Sequence, residues 1–244
     1  MFTNNDKKKN RIIVALDVDN PEQAIDIVDV LFPTIKIFKV GSQLFSIAGP
    51  DLIKKIQQKG AKVFLDLKFF DIPNTVAQAS KNLTRLGVFM FNMHCMGGTT
   101  MLEEAAKSSI LEAEKLGVHK PIILGVTILT SMDIKDLQKI GFEKDVNEAV
   151  IFLASLAKKA GLCGVVCSAK EAAIIKQKFV KDFICVCPGI RPSWSASDDQ
   201  KRITTPKEAF NSGADYIVVG RPVIAAENIK EAAEKIVDEV EKSG

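Results

Sequence analysis

Short apolar runs rich in β-branched residues recur along the chain, at 12–17 (IIVALD), 35–41 (IKIFKVG), 62–68 (KVFLDLK), 89–95 (FMFNMHC), 121–127 (PIILGVT), 164–168 (GVVCS), 183–189 (FICVCPG) and 216–222 (YIVVGRP). Their length and composition predict strands. Between them, apolar residues return every three or four positions, as at 21–32, 97–117 and 146–161, which predicts amphipathic helices. Strand–helix alternation implies a parallel sheet with crossover helices. Eight such units in 244 residues predict an α/β protein with one domain, a (β/α)8 TIM barrel at 11–244 behind a flexible tail at 1–10. An open doubly wound sheet shares the alternation, but no Gly-x-Gly-x-x-Gly follows the first strand, which weakens the dinucleotide-binding form. No low-complexity linker or shift in composition marks a domain boundary.

Composition narrows the class of function. Apolar residues make up 47% of the chain and charged residues 26%, the balance of a globular protein. The net charge is +3, and the one basic run, Lys7-Lys8-Lys9, lies in the expected tail, so a nucleic-acid partner is not expected. No apolar run approaches the roughly 18 residues of a membrane span, and the N-terminal MFTNNDKKKN lacks a signal-peptide core. The expected location is the cytoplasm. Five cysteines (Cys95, Cys163, Cys167, Cys185, Cys187) lie in or beside apolar runs, and an odd number leaves one unpaired in any all-disulfide scheme. Buried thiols acting as small hydrophobes are favoured over a metal site built from Cys163, Cys167, Cys185 and Cys187.

Polar groups gather where the strands finish. Asp17, Lys39, Asp66 with Lys68, and His94 close the first four runs, Thr127 leads to Thr130 after the fifth, and Arg191 and Arg221 follow the seventh and eighth. In a (β/α)8 barrel the C-terminal strand ends form the catalytic face, so these residues converge. The stretch DLKFFDIPNTV (66–76) is the most informative. Asp66 and Lys68, two apart on one strand, point to the same side about 6–7 Å apart, and burying either charge requires a partner. Lys39, on the neighbouring strand, adds a second ammonium. Asp71 precedes Pro73 and serves either as the cap of the next helix or as the second carboxylate of an alternating Lys-Asp network. In that network each cation has an anionic neighbour that stabilises its charged form, which disfavours a Schiff-base aldolase. It suits decarboxylation to a carbanion, with Lys68 as the proton donor. Arg191, together with Gly220-Arg221-Pro222 before a helix, places cations and backbone N–H groups where barrels commonly bind phosphate, and Gln200 supplies an amide. For Arg221 alone, a surface salt bridge is the competing reading. The predicted ligand is small and anionic.

Taken together these residues resemble the bacterial form of the orotidine 5′-monophosphate decarboxylase family. The resemblance runs through ALD (15–17), KVGSQLF (39–45), DLKFFDIPNTV (66–76), VTILTSM (126–132), PGIRP (188–192), DDQKRI (198–203) and YIVVGRPV (216–223). Asp-x-Lys-x-x-Asp alone is shared with related barrels acting on sugar phosphates, whereas the longer motifs point to the pyrimidine enzyme. The resemblance implies conversion of orotidine 5′-monophosphate (OMP) to uridine monophosphate (UMP) with no metal and no organic cofactor, by a homodimer with shared active sites. It implies a catalytic network of Lys39, Asp66, Lys68 and Asp71, with Asp71 reaching the partner's site. Lys68 would protonate C6, and Asp66 would lie against the substrate carboxylate. Asp17 and Lys39 would hold the ribose, with Thr75 contributing from the partner chain and Ile72 among the substrate contacts. Thr130, beside Ser131, would face the pyrimidine, and Arg191, Gln200, Gly220 and Arg221 would take the phosphate. Met96 and Cys187 depart from the family pattern without touching an assigned residue. Trp194 belongs either to a phosphate loop at 193–199 or to its packed base. Two rival functions remain: a magnesium-dependent sugar-phosphate decarboxylase or synthase of the same superfamily, and a catalytically silent phosphate-metabolite binding barrel.

Overall fold

The computed structural model of the chain describes residues 8–143, 145–179, 182–195 and 204–241. All eight predicted strands form, each within one or two residues of its apolar core, and they pair in parallel in chain order into a closed barrel. The first half runs β1 (Ile12–Ala15), α1 (Pro21–Leu31), β2 (Ile37–Gly41), α2 (Ser42–Gln58, kinked at Gly49–Pro50), β3 (Lys62–Phe69), α3 (Pro73–Arg85), β4 (Met90–His94) and α4 (Gly98–Leu116). The second runs β5 (Ile122–Val126), two helices α5 (Ile134–Lys139) and α6 (Val146–Lys159), β6 (Gly164–Val166), α7 (Ala169–Lys178), β7 (Ile184–Cys187), α8 (Pro206–Asn211), β8 (Tyr216–Val219), the single turn α9 (Arg221–Ile224) and α10 (Ile229–Glu241). Ahead of β1, Lys8–Arg11 form a 3-10 turn that overlaps the end of the stretch read as tail, and Lys9 Nζ lies 3.6 Å from Glu241.

Alternation along the strands decides what faces the barrel axis. Ile13, Ile37, Phe64, Met90, Leu124, Val186, Tyr216 and Val218 form an inner apolar cluster, with Ala15 at its upper edge. Their odd-numbered or even-numbered neighbours face the helices and join a larger outer core. Because side chains repeat every two residues, the next inward position up each strand is Lys39 on β2, Asp66 on β3 and Asn92 on β4. The apolar layer is therefore the floor on which the polar layer stands.

Helix starts divide into two groups. Asn20, Asp133, Asp145, Ser168 and Thr205 cap α1, α5, α6, α7 and α8 through their side chains, with reciprocal bonds from Asp136, Glu171 and Glu208 in three of them. By contrast, α2, α3, α4 and α9 begin at Gly41, Ile72, Gly97 and Gly220, none of which gives a side-chain cap. These four helices follow the strands that carry the polar layer or border it, so their first N–H groups face the mouth without a side chain over them.

The cysteines pack as hydrophobes. Cys95, Cys167, Cys185 and Cys187 are buried in the outer core, and Cys163 is exposed. Burial pushes the Cys95 thiol up to about 12. Contacts with the Cys185 and Cys187 thiols, added to burial, push Cys167 upward as well. Among the described residues no group of His, Cys, Asp and Glu has a metal-holding arrangement, and no helix is long and apolar enough to cross a membrane. A neutral maleimide is expected to label the native protein once, at Cys163, and all five positions after denaturation, as read by peptide mass spectrometry. Native labelling at Cys167, Cys185 or Cys187 would contradict this packing.

Candidate active site

A cavity of about 320 Å3 opens at the C-terminal end of the barrel. Phe64 and Val218 of the inner layer form its floor, and Asp17, Lys39, Asp66 and Lys68 line one wall. Thr130, Arg191, Gly220 and Arg221 close the opposite side.

Asp66 is the centre of the polar wall. Only 8% of the residue is exposed, and its two oxygens are divided among three donors. Lys68 Nζ and Asn92 Nδ2 both donate to Oδ1 at 2.7 Å, while Lys39 Nζ lies 3.4 Å from Oδ2. Lys39 also donates to Asp17 Oδ1 at 3.0 Å. The chain of charges therefore reads Asp17, Lys39, Asp66, Lys68. Burial by itself would push the Asp66 carboxyl upward, but the two ammonium groups and the bonds from Lys68 and Asn92 outweigh it and hold the group below the ordinary carboxylate value.

Lys68 reaches this position on irregular backbone. Leu65 pairs with Phe91 and Phe69 with Met93, so four steps along β3 oppose two along β4. The bulge turns Lys68 to φ 51, the sole positive φ among the described non-glycine residues. Its backbone N–H leaves the ladder and donates to Asn92 Oδ1 at 2.8 Å. The expectation that Asp66 and Lys68 share a side is met, but a bulge rather than plain alternation brings this about.

Asp71 stands outside the network of its own chain. It is exposed, its Oδ1 accepts the N–H of Ile72 at 2.6 Å, and Ile72 takes the cap position of α3. The helix-cap reading of Asp71 is thereby corrected: Pro73 starts the helix one residue too late for it. Ile72 and Thr75 share this exposed segment and do not line the cavity; neither does Ser131, although its neighbour Thr130 does. Thr127 is buried and donates to the Val166 carbonyl at 3.1 Å, a structural bond. Gln200 lies outside the described residues.

Arg191 and Arg221 line the cavity and also a shallow cleft beside it that includes Trp194. Among the described residues neither guanidinium has a carboxylate within 4.0 Å, so the salt-bridge alternative for Arg221 finds no support there. Trp194 sits in the 3-10 turn Ser193–Ser195, 45% exposed, with Lys235 Nζ 5.9 Å from its ring.

Two features, Asn92 and Gly41, escaped the sequence reading, and His94 was expected there only as one of the polar groups at the strand ends. Asn92 interrupts the apolar run FMFNMHC at an inward position, a signal that was present but looked like one polar residue in a strand. Gly41 leaves the space that Lys39 Nζ occupies, since a Cβ there would lie 3.1 Å from it. His94, at the end of β4, is held below the ordinary histidine value by burial and by nearby Lys68, which keeps it neutral beside the cations; among the described residues its Nδ1 has no hydrogen-bond partner, and its ring centroid lies 5.9 Å from that of Phe70.

A parallel (β/α)8 barrel with an ion network at one side of its mouth and two arginines at the other has the architecture of the barrel enzymes, whose sites open at the C-terminal strand ends. The chain belongs to the orotidine 5′-phosphate decarboxylase / HUMPS family, whose model matches residues 10–236. It is 52% identical over 231 residues to the orotidine 5′-phosphate decarboxylase of Carboxydothermus hydrogenoformans, covering 95% of this chain and 96% of that one. With the enzyme of the same name from Geotalea daltonii it shares 47% identity over 235 residues, covering 96% and 98%. The crystal structure of orotidine 5′-phosphate decarboxylase from Lactobacillus acidophilus superposes with a TM-score of 0.82 at 38% identity, covering 95% of this chain and 99% of that one.

The backbone of Lys68 gives a prediction that separates strain from charge. In ordinary strands glycine is less stable than alanine, but a non-glycine residue at positive φ costs about 1–2 kcal/mol. Lys68→Gly is therefore expected to unfold at higher denaturant than Lys68→Ala, by about 1 kcal/mol, although both lose the same ammonium. The reverse order in urea titrations would show that Lys68 is not strained.

Proposed function

We propose that this chain decarboxylates OMP to UMP and carbon dioxide without a metal or organic cofactor. The observation that carries this reading is the buried Asp66 carboxylate between two ammonium groups, across a small cavity from Arg191 and Arg221. The phosphate lies at the arginines and the Gly220 end of α9, where no side chain caps the helix. Asp17 and Lys39 hold the ribose hydroxyls, and Thr130 borders the pyrimidine. This places C6 and its carboxylate over Asp66 and Lys68.

In the chemical step the bond from C6 to the carboxylate breaks, carbon dioxide leaves, and the electron pair stays on C6. Lys68 Nζ gives that carbon a proton and is reprotonated from solvent, so each turnover consumes one proton. The fixed charge of Asp66 disfavours the bound carboxylate, and the cations stabilise the carbanion that replaces it. The assay is loss of OMP absorbance with protein exhaustively treated with a chelator. Full turnover is expected; activity restored by magnesium alone would favour the sugar-phosphate rival.

The working unit in this reading is a homodimer. Asp71 lies outside its own network, and the flanking Phe70 and Ile72 are 62% and 66% exposed, an apolar surface suited to a second copy that would receive Asp71 and Thr75. A cytoplasmic setting accords with five free thiols. Lys68→Ala alone is expected to lower kcat by about 10²–10⁴-fold, the usual range for a lost general acid, and Asp71→Ala is expected to be nearly inactive as well. Mixing them gives dimers in which one site carries both substitutions and the other neither. With equal amounts and random exchange, activity returns to about one quarter of the parent. No recovery, with exchange confirmed by native mass spectrometry, would assign Asp71 to its own chain.

A further inference from the structure

We propose that Asn92 is the positioning residue of the proton donor: it holds the Lys68 backbone in its left-handed conformation and fixes which Asp66 oxygen receives which lysine. The geometry stands alone, and its kinetic consequence rests on the decarboxylase reading above.

Asn92 is fully buried and points inward from the middle of β4, with Leu124 of β5 beside it in the ladder. A buried primary amide requires partners for both its donor and its acceptor. Both are supplied by β3, through the Lys68 N–H at 2.8 Å and Asp66 Oδ1 at 2.7 Å. The bulge detaches the Lys68 N–H from the strand ladder, and Asn92 Oδ1 is the acceptor that replaces the lost backbone partner. Without it, the bulge would bury an unsatisfied donor and the backbone would have no reason to remain at positive φ.

The second bond acts on the carboxylate. Asn92 Nδ2 and Lys68 Nζ meet on Oδ1, leaving Oδ2 toward Lys39. Rotation of the carboxylate would break three contacts together, so the amide keeps the Lys68 ammonium in one place. An asparagine satisfies both demands at this reach, because it carries an acceptor oxygen and a donor nitrogen on a short arm. Aspartate offers two acceptors and a charge; alanine offers neither group.

The titratable groups facing this position are Lys39 from β2, Asp66 and Lys68 from β3, and His94 from β4. An added carboxyl would meet the Asp66 charge in a buried setting, and both like charge and burial favour its protonated form. Once protonated, it regains a donor for Asp66 and an acceptor for the Lys68 N–H.

The test compares Asn92→Ala and Asn92→Asp with the parent, measuring kcat and KM for OMP from acid to neutral pH. At neutral pH both variants are expected to lose about 100-fold in kcat, the scale of a displaced catalytic group, with KM nearly unchanged because the phosphate contacts are intact. As pH falls, kcat of Asn92→Asp is expected to climb relative to both the parent and Asn92→Ala. A merely structural role would lower the amount of folded enzyme and give no such recovery. The near-isosteric Asn92→Asp keeps the test readable if Asn92→Ala does not accumulate. Parent-like kcat in either variant, or a flat ratio of Asn92→Asp to parent across pH, would overturn the proposal. Should the parent itself not consume OMP, the functional reading falls, and a crystal structure of Asn92→Asp at neutral pH decides the positioning claim. Lys68 relaxing to negative φ supports it; Lys68 retaining both its φ and its Asp66 contact refutes it.

Discussion

A carboxylate buried at the end of a barrel strand is unstable unless its charge is answered, and the arrangement of this molecule follows from how Asp66 is answered. Its partners come from three adjacent strands: Lys39 from β2, Lys68 from β3 itself and Asn92 from β4. Neither Lys39 nor Asn92 reaches Asp66 unless the strands are in their observed register, with Gly41 opposite Asp66 and Phe91 opposite Leu65. The ion network thus depends on barrel closure, and closure depends on the apolar layer of Ile13, Ile37, Phe64 and their neighbours beneath it. Removing one partner would leave a charge stranded in low dielectric, which is more costly than never having buried it. The depressed Asp66 carboxyl follows from this: its ionised form contributes stability above the ordinary carboxylate range of about 4, and that contribution is lost as pH falls below it.

The same region concentrates the irregular features of the fold. A bulge, a residue at positive φ and four helix starts without side-chain caps lie at or around one end of the barrel, while the helices with capping boxes, α5, α7 and α8, lie beyond β5. Strain of this kind persists where packing over-determines it, and here β3 is enclosed by β2 and β4 with Phe64 and Leu65 buried below the bulge. The fold supplies rigidity at the floor and spends it at the rim.

The two sides of the cavity use charge differently. On the Asp66 side every cation has an anionic neighbour within 3.4 Å, which fixes its position and leaves little net field. On the arginine side the described residues offer no carboxylate partner, and both guanidinium side chains line the cavity.

Much of this was legible in the chain. Short β-branched apolar runs set the strands, period-three-and-four runs set the helices, and their alternation set a parallel barrel; position at the strand ends then placed Lys39 and Asp66 at its mouth. Those inferences rest on local periodicity, which sequence carries directly. The bulge at Lys68, the engagement of Asn92, the space left by Gly41 and the transfer of the α3 cap from Asp71 to Ile72 were not legible. Each depends on how one strand is shifted against the next or on where a helix begins relative to a turn, and such registers are fixed by packing between residues far apart in the chain. Sequence therefore determined which residues bring charge to the mouth of the barrel, while tertiary structure decided which atoms meet there, because a shift of one residue along a strand reverses the side that every following side chain faces.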